Sequence, residues 1–166
     1  MSGPLTPSQT VGPFFGVGLP FEKSEQIAPP QSAGVMRIEG QVLDGKGEPV
    51  PDALIEIWQP GLGFGRARTD SEGAFSFTTV KPGAVPAPDG RLQAPHLNVT
   101  IFGRGLLRHL VTRMYFPDET EANATDPVLN LVEPARRGTI IANNCREVLH
   151  FDIRLQGERE TVFFAI

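Results

Sequence analysis

The stretch Gly73-Ala74-Phe75-Ser76-Phe77-Thr78-Thr79-Val80-Lys81-Pro82-Gly83 decides the fold, together with Ala94-Pro95-His96-Leu97-Asn98-Val99-Thr100-Ile101-Phe102 and Leu110-Val111-Thr112-Arg113-Met114-Tyr115-Phe116. Three runs rich in β-branched and aromatic residues lie here: Ala74–Val80, His96–Phe102 and 110–116. Gly or Pro bounds each, and that combination predicts strands. Successive strand side chains point to opposite faces. His96 and Asn98 therefore share a face, as do Arg113 and Tyr115. A His-x-His pair on one face would begin a metal site, but the second position is Asn98, a poor ligand for iron or zinc.

Outward from this centre the pattern repeats. Val35–Leu43 reads as a strand, and Asp44-Gly45-Lys46-Gly47 as a tight turn or bulge. Residues 53–59 alternate Leu54, Glu56 and Trp58 against Ile55 and Ile57, a strand with two contrasting faces. Asp70-Ser71-Glu72-Gly73 is a further turn. Residues 61–68 read as a loop, and 103–107 as a link whose Arg104, like the following Arg108, faces solvent. Residues 119–132 are the one extended helical candidate; Pro127 is tolerated there at a first helical position. Residues 136–142 suit a short turn or helix. Residues 147–155 and 160–166 read as closing strands joined by Gln156-Gly157. Residues 1–15 carry prolines and small polar residues, which exclude a helix and by themselves read as a disordered tail, and 15–30 reads as an irregular connection. The expected architecture is an all-β sandwich of two mainly antiparallel sheets over residues 35–166. One or two short helices accompany it, with an N-terminal arm and connection over residues 1–34.

Composition narrows the function classes. The chain has 166 residues, 40% hydrophobic and 20% charged, which suits one soluble domain with a real core. Eighteen Gly and 16 Pro favour many turns over long helices. A net charge of −4 argues against nucleic-acid binding. Cys145 is the only cysteine, which excludes an internal disulfide and suits a reducing cytoplasm. No run approaches the roughly 20 apolar residues that span a bilayer, and the first residues lack the basic and apolar regions of a signal peptide.

Lys81-Pro82-Gly83 with Pro86, the His96 strand and Thr112-Arg113-Met114-Tyr115-Phe116 resemble the intradiol ring-cleavage dioxygenases. So do Thr6-Pro7-Ser8-Gln9-Thr10-Val11-Gly12-Pro13-Phe14, Gly40-Gln41-Val42-Leu43-Asp44-Gly45, Glu56-Ile57-Trp58-Gln59, and the segment from Gln156 to Phe164, all in the family's order. Catalytic chains of that family hold ferric iron with two Tyr and two His. Here the Tyr expected in the Lys-Pro-Gly loop is Val85, the His pair is His96 and Asn98, and an Arg preceding that pair is Gln93. The chain has one Tyr in all, Tyr115.

The resemblance therefore implies a non-catalytic subunit that binds no metal itself. Its partner would be a homologous beta chain carrying Fe(III), and the pair would join a larger hetero-oligomer. The complex would insert both atoms of O2 into protocatechuate, opening the ring between the hydroxyl-bearing carbons to give 3-carboxy-cis,cis-muconate. This chain would supply one wall of the substrate pocket: Arg113, with Thr10, Gly12 and Pro13 from the arm.

Each of these residues also has a plainer reading. Arg113 could pair with a surface acid; a planar guanidinium could equally hold the substrate carboxylate through two parallel hydrogen bonds. Tyr115 suits a buried Tyr with a satisfied hydroxyl, and His96 a structural His. Glu56 reads as a rim carboxylate. His109 and His150 have no companion at ligand spacing. Cys145 and His150 lack any motif of a nucleophile pair. A different class remains open: the stretch from Gly40 to Val50 also resembles transthyretin-like β-sandwiches, which would make the chain a non-enzymatic binding module.

Overall fold

Alternation along residues 35–43 puts Ile38, Gly40 and Val42 on a buried face and Arg37, Glu39 and Gln41 on an outer one. This is strand β1 (Val35–Leu43), the centre of the first sheet in a computed structural model that describes residues 5–59, 61–145 and 148–165. The other strands are β2 (Leu54–Gln59), β3 (Gly63–Arg68), β4 (Ala74–Val80), β5 (Val85–Pro86), β6 (Leu92–Gln93), β7 (His96–Phe102), β8 (Leu110–Tyr115), β9 (Asn143–Cys145), β10 (Val148–His150) and β11 (Ile153–Arg154). Helices α1 (Phe15–Gly18) and α2 (Thr120–Thr125) are short, and 3-10 turns occupy Leu129–Leu131 and Pro134–Thr139.

The expected sandwich is present. In the first sheet β4 runs antiparallel along one edge of β1, with Phe77 opposite Ile38 and Phe75 opposite Gly40. Along the other edge β10 and then β11 lie parallel to β1, with Leu149 opposite Ile38 and Ile153 opposite Val42. β9 pairs antiparallel with β10. The second sheet is antiparallel throughout, in the order β3-β2-β7-β8. β5 and β6 form a separate small hairpin. The inner faces meet in one core in which Ile38, Val42, Ile55, Phe77, Leu97, Val99, Ile101, Met114 and Ile153 are all but excluded from water. Burying an aliphatic or aromatic side chain of this size contributes about 1.5–3 kcal/mol. A second cluster of Ala94, Tyr115, Leu129, Val132 and Ile140 sits under the 3-10 turns.

Five local expectations are corrected. The helix expected over 119–132 stops at Thr125, because Asp126 is extended (φ −62, ψ 124) ahead of Pro127. The proline ring disfavours helical geometry in the residue before it and removes a backbone donor. The strand expected over 147–155 divides into β10 and β11 around Phe151 and Asp152; Glu147 lies outside the described residues. Residues 160–165 form no strand. They are held by isolated bonds, Thr161 N–H to Arg154 O (2.9 Å) and Phe164 N–H to Val111 O (2.8 Å), with no ladder; Ile166 lies outside the described residues. The loop expected over 61–68 contains β3 instead. The connection over 15–30, expected to be irregular, opens with helix α1. Arg104 is exposed as expected and pairs with Asp52 at 2.6 Å.

Candidate functional site

The outer face of the second sheet collects the polar and aromatic residues singled out above. The ladder sets Phe64 opposite Trp58, Trp58 opposite Asn98, and Asn98 opposite Arg113, so these four form one row across β3, β2, β7 and β8. Trp58 is 54% exposed and Phe64 37%. The neighbouring row sets Arg66 opposite Glu56 and Thr100 opposite Val111. There the Arg66 guanidinium donates Nε–H and Nη2–H to Glu56 Oε1 at 2.8 and 2.6 Å and lies 5.0 Å from the Phe64 ring centre. Glu56 is thus the rim carboxylate expected. Arg113 is different. Among the described residues no carboxylate forms an ion pair with it. The guanidinium donates from Nη1 to the Tyr115 hydroxyl at 3.3 Å.

Beside this row lies a buried polar knot. His96 stands opposite Tyr115 in the ladder, their ring centres 5.7 Å apart. Tyr115 is fully buried and donates its O–H to Asp126 Oδ1 at 3.0 Å, the satisfied hydroxyl expected of it. Asp126, also fully buried, accepts three backbone N–H groups as well: Ala94 at 2.8 Å, Val128 at 2.9 Å and Leu129 at 2.6 Å. The extended conformation forced on Asp126 by Pro127 turns its carboxylate toward these donors. Burial first, with the nearby Asp126 adding, holds the Tyr115 hydroxyl's pKa far above its ordinary value. It stays protonated at neutral pH and acts as a fixed hydrogen-bonding group.

His96 is 3% exposed, with Nδ1 2.8 Å from the Ala94 carbonyl, which fixes the proton on that nitrogen. Burial first, and the Arg113 charge second among the lowering causes, hold its pKa below the ordinary 6.5. The folded chain therefore binds this proton less readily than the unfolded chain. The linked stability is complete above the unfolded value and declines as pH falls through about 6.5. The thermal midpoint is expected to drop between pH 7.5 and 5.5, and His96→Gln to make that drop shallower. Parallel pH profiles for the two proteins would rule His96 out as the source.

The donors at the family's metal positions do not fit an iron ion. Val85 offers no ligand atom, the stretch 61–68 where the second Tyr is expected has none, Asn98 is a weak ligand, and His96 supplies a single imidazole. Gln93, where catalytic chains have Arg, is buried with its Oε1 unpartnered. Among the described residues no group of three or more His, Cys, Asp or Glu is placed to hold a metal.

The arm residues lie elsewhere. The Thr10 hydroxyl accepts the Gly105 N–H at 2.8 Å, at the far end of the β7–β8 hairpin from Tyr115. The Gly12 carbonyl accepts the Phe15 N–H at 3.2 Å, and Pro13 begins the turn into α1. No hydrogen bond joins these residues to Arg113 among the described residues. The site thus gathers Arg113, Tyr115, His96 and Asn98, which the sequence marks, and adds Asp126, which it does not. An Asp-Pro pair signals a turn, but nothing local indicates that its carboxylate points inward.

The fold is thus an all-β sandwich that carries Arg113 on the outer face of its second sheet. Comparison with solved structures gives the fold. It is similar to the dioxygenase domain of a carbohydrate-binding fusion protein from a cellulolytic Streptomyces, with TM-score 0.63, 23% identity, and 80% of this chain and 87% of that one covered. It is also similar to hydroxyquinol 1,2-dioxygenase from Pseudomonas putida, with TM-score 0.61, 22% identity, and 93% and 67% covered. No protein-family model matches the chain. Among curated relatives it is 42% identical to the protocatechuate 3,4-dioxygenase alpha chain of Pseudomonas putida, over 97% of this chain and 96% of that one. It is 32% identical to the corresponding beta chain of Burkholderia cepacia, over 75% and 65%. The chain belongs to the intradiol ring-cleavage dioxygenase family, in the branch of the protocatechuate 3,4-dioxygenase alpha chains.

Proposed function

We propose that this chain is the alpha subunit of a cytoplasmic protocatechuate 3,4-dioxygenase and works only beside a homologous beta chain that holds the non-haem iron. The beta chain performs the ring opening with O2. This chain closes one side of the pocket, with Arg113 facing the substrate carboxylate and Thr10, Gly12 and Pro13 of the arm approaching the partner. The observation that carries the reading is the Arg113 guanidinium, which has no carboxylate partner among the described residues and bonds instead to the Tyr115 hydroxyl, whereas Arg66 on the same face is paired with Glu56. A charge left open in this way suits an anionic ligand. Exposed Trp58 and Phe64 in the same row give the partner an apolar surface to cover. Holding a substrate in register can contribute substantially to rate without any group on this chain reacting. The identity with alpha chains over nearly the whole length favours this over a free-standing binding module.

The test is ring cleavage of protocatechuate by the isolated chain and by the chain co-expressed with its beta partner, with iron assayed in both. Turnover and iron are expected in the pair alone. Iron and turnover in the isolated chain would overturn the assignment.

A further inference from the structure

We infer that Tyr115 and Asp126 form a built-in mount that fixes the Arg113 guanidinium in its ligand-binding pose, making Tyr115 a positioning residue for the substrate carboxylate. The inference rests on the reading of Arg113 just given.

Three observations support it. The first is a continuous chain of hydrogen bonds, from Arg113 Nη1 to the Tyr115 hydroxyl (3.3 Å) and from that hydroxyl to Asp126 Oδ1 (3.0 Å). The second is the rigidity of its inner end. Tyr115 and Asp126 are fully buried, and three backbone N–H groups clamp the carboxylate. Neither group can reorient without leaving a buried donor or acceptor unpaired. The third is the asymmetry at the outer end. The bond to Tyr115 engages one side of a planar group with five donors, leaving others to meet a carboxylate. Arg113 and Tyr115 stand two residues apart on one strand, so the ladder delivers this geometry on folding.

The consequence is energetic. A free arginine side chain samples many rotamers, and ordering it on binding weakens affinity. A guanidinium already held by its inner edge loses less on meeting the substrate. The mount also accounts for a full hydrogen-bond set on a buried aspartate that the metal chemistry does not use.

The experiment is a double-mutant cycle in the assembled alpha–beta complex, reading KM and kcat for protocatechuate in wild type, Arg113→Ala, Tyr115→Phe and the double variant. Iron content and complex size serve as controls. Tyr115→Phe keeps the ring and removes only the hydroxyl. It is expected to raise KM roughly three- to tenfold, the worth of one such hydrogen bond, while moving kcat much less. Arg113→Ala should raise KM further, and adding Tyr115→Phe to it should change nothing more, because nothing remains to be positioned. Effects that multiply would overturn the mount, showing that Tyr115 acts by another route. A normal KM in Tyr115→Phe beside a raised one in Arg113→Ala would also overturn it, leaving the binding role of Arg113 intact. An unaltered KM in Arg113→Ala would instead remove Arg113 from the pocket, and the mount with it.

Discussion

Gly40→Ala is expected to destabilise the protein by about 3 kcal/mol or more, since a methyl group here overpacks a closed core against backbone. Gly40 sits mid-strand in β1, opposite Phe75. A Cβ at this position would meet the Phe151 carbonyl oxygen and lie 2.7 Å from its carbon and 2.8 Å from the Phe75 ring. Phe151 cannot step aside, because its own N–H donates to Glu39 O at 2.8 Å. Relief requires the break between β10 and β11 to move off β1. Gly65 is the control. A Cβ there would crowd the Ile27 side chain and approach the Ser24 carbonyl oxygen at 3.3 Å, with no backbone atom as close as at Gly40, so Gly65→Ala is expected to cost less. Urea unfolding of the two variants checks this, and a loss under about 1 kcal/mol for Gly40→Ala would refute the account. Against a typical total of about 5–15 kcal/mol, the expected loss is a large fraction.

Asp126→Ala is the second large effect, at about 3–4 kcal/mol, because each buried donor left without its acceptor costs about 1–3 kcal/mol and water can refill part of the gap. Four donors lose their partner: the Tyr115 hydroxyl and the N–H groups of Ala94, Val128 and Leu129. The same carboxylate joins the start of β7 to the 3-10 turn over the second cluster, so both should loosen together. Asp126→Asn retains one acceptor oxygen and replaces the other with a donor. It should fall between wild type and Asp126→Ala in thermal midpoint; equality with Asp126→Ala would mean that shape, not hydrogen bonding, sets the cost.

The strands that carry the site could be read from the sequence because they are rich in β-branched and aromatic residues and bounded by Gly or Pro, even though His96 and Tyr115 are buried on the outer face. Ala74–Val80 and His96–Phe102 match their observed limits, and Arg113 and Tyr115 share the expected face. β3 was hidden by Gly61, Gly63 and Gly65, which read as a loop. At Gly65 the glycine serves packing, because Ile27 occupies the space of a side chain. The segment 160–165 shows the opposite failure. Its apolar run has strand composition, yet Val162 and Phe164 pack against the second cluster and Phe163 against the main core, while its backbone finds only scattered partners. Composition reports burial there and says nothing of a ladder. Asp126 was only half legible: an Asp before Pro suits a local cap that accepts the N–H groups of Val128 and Leu129, whereas its bonds to residues 94 and 115 come from chain segments 32 and 11 residues away.

The parallel seat of β10 and β11 on β1 also orders events in time. β1 is made early, and β4 can cover one of its edges once residue 80 has emerged, yet the other edge waits for residues 148–154. Contacts this distant in sequence close slowly, since loop entropy must be overcome before they form. Until then the growing chain presents an unpaired strand edge, the form of exposure that recruits foreign strands. A ribosome stalled before residue 148 would therefore hold a half-finished sheet rather than a smaller stable domain.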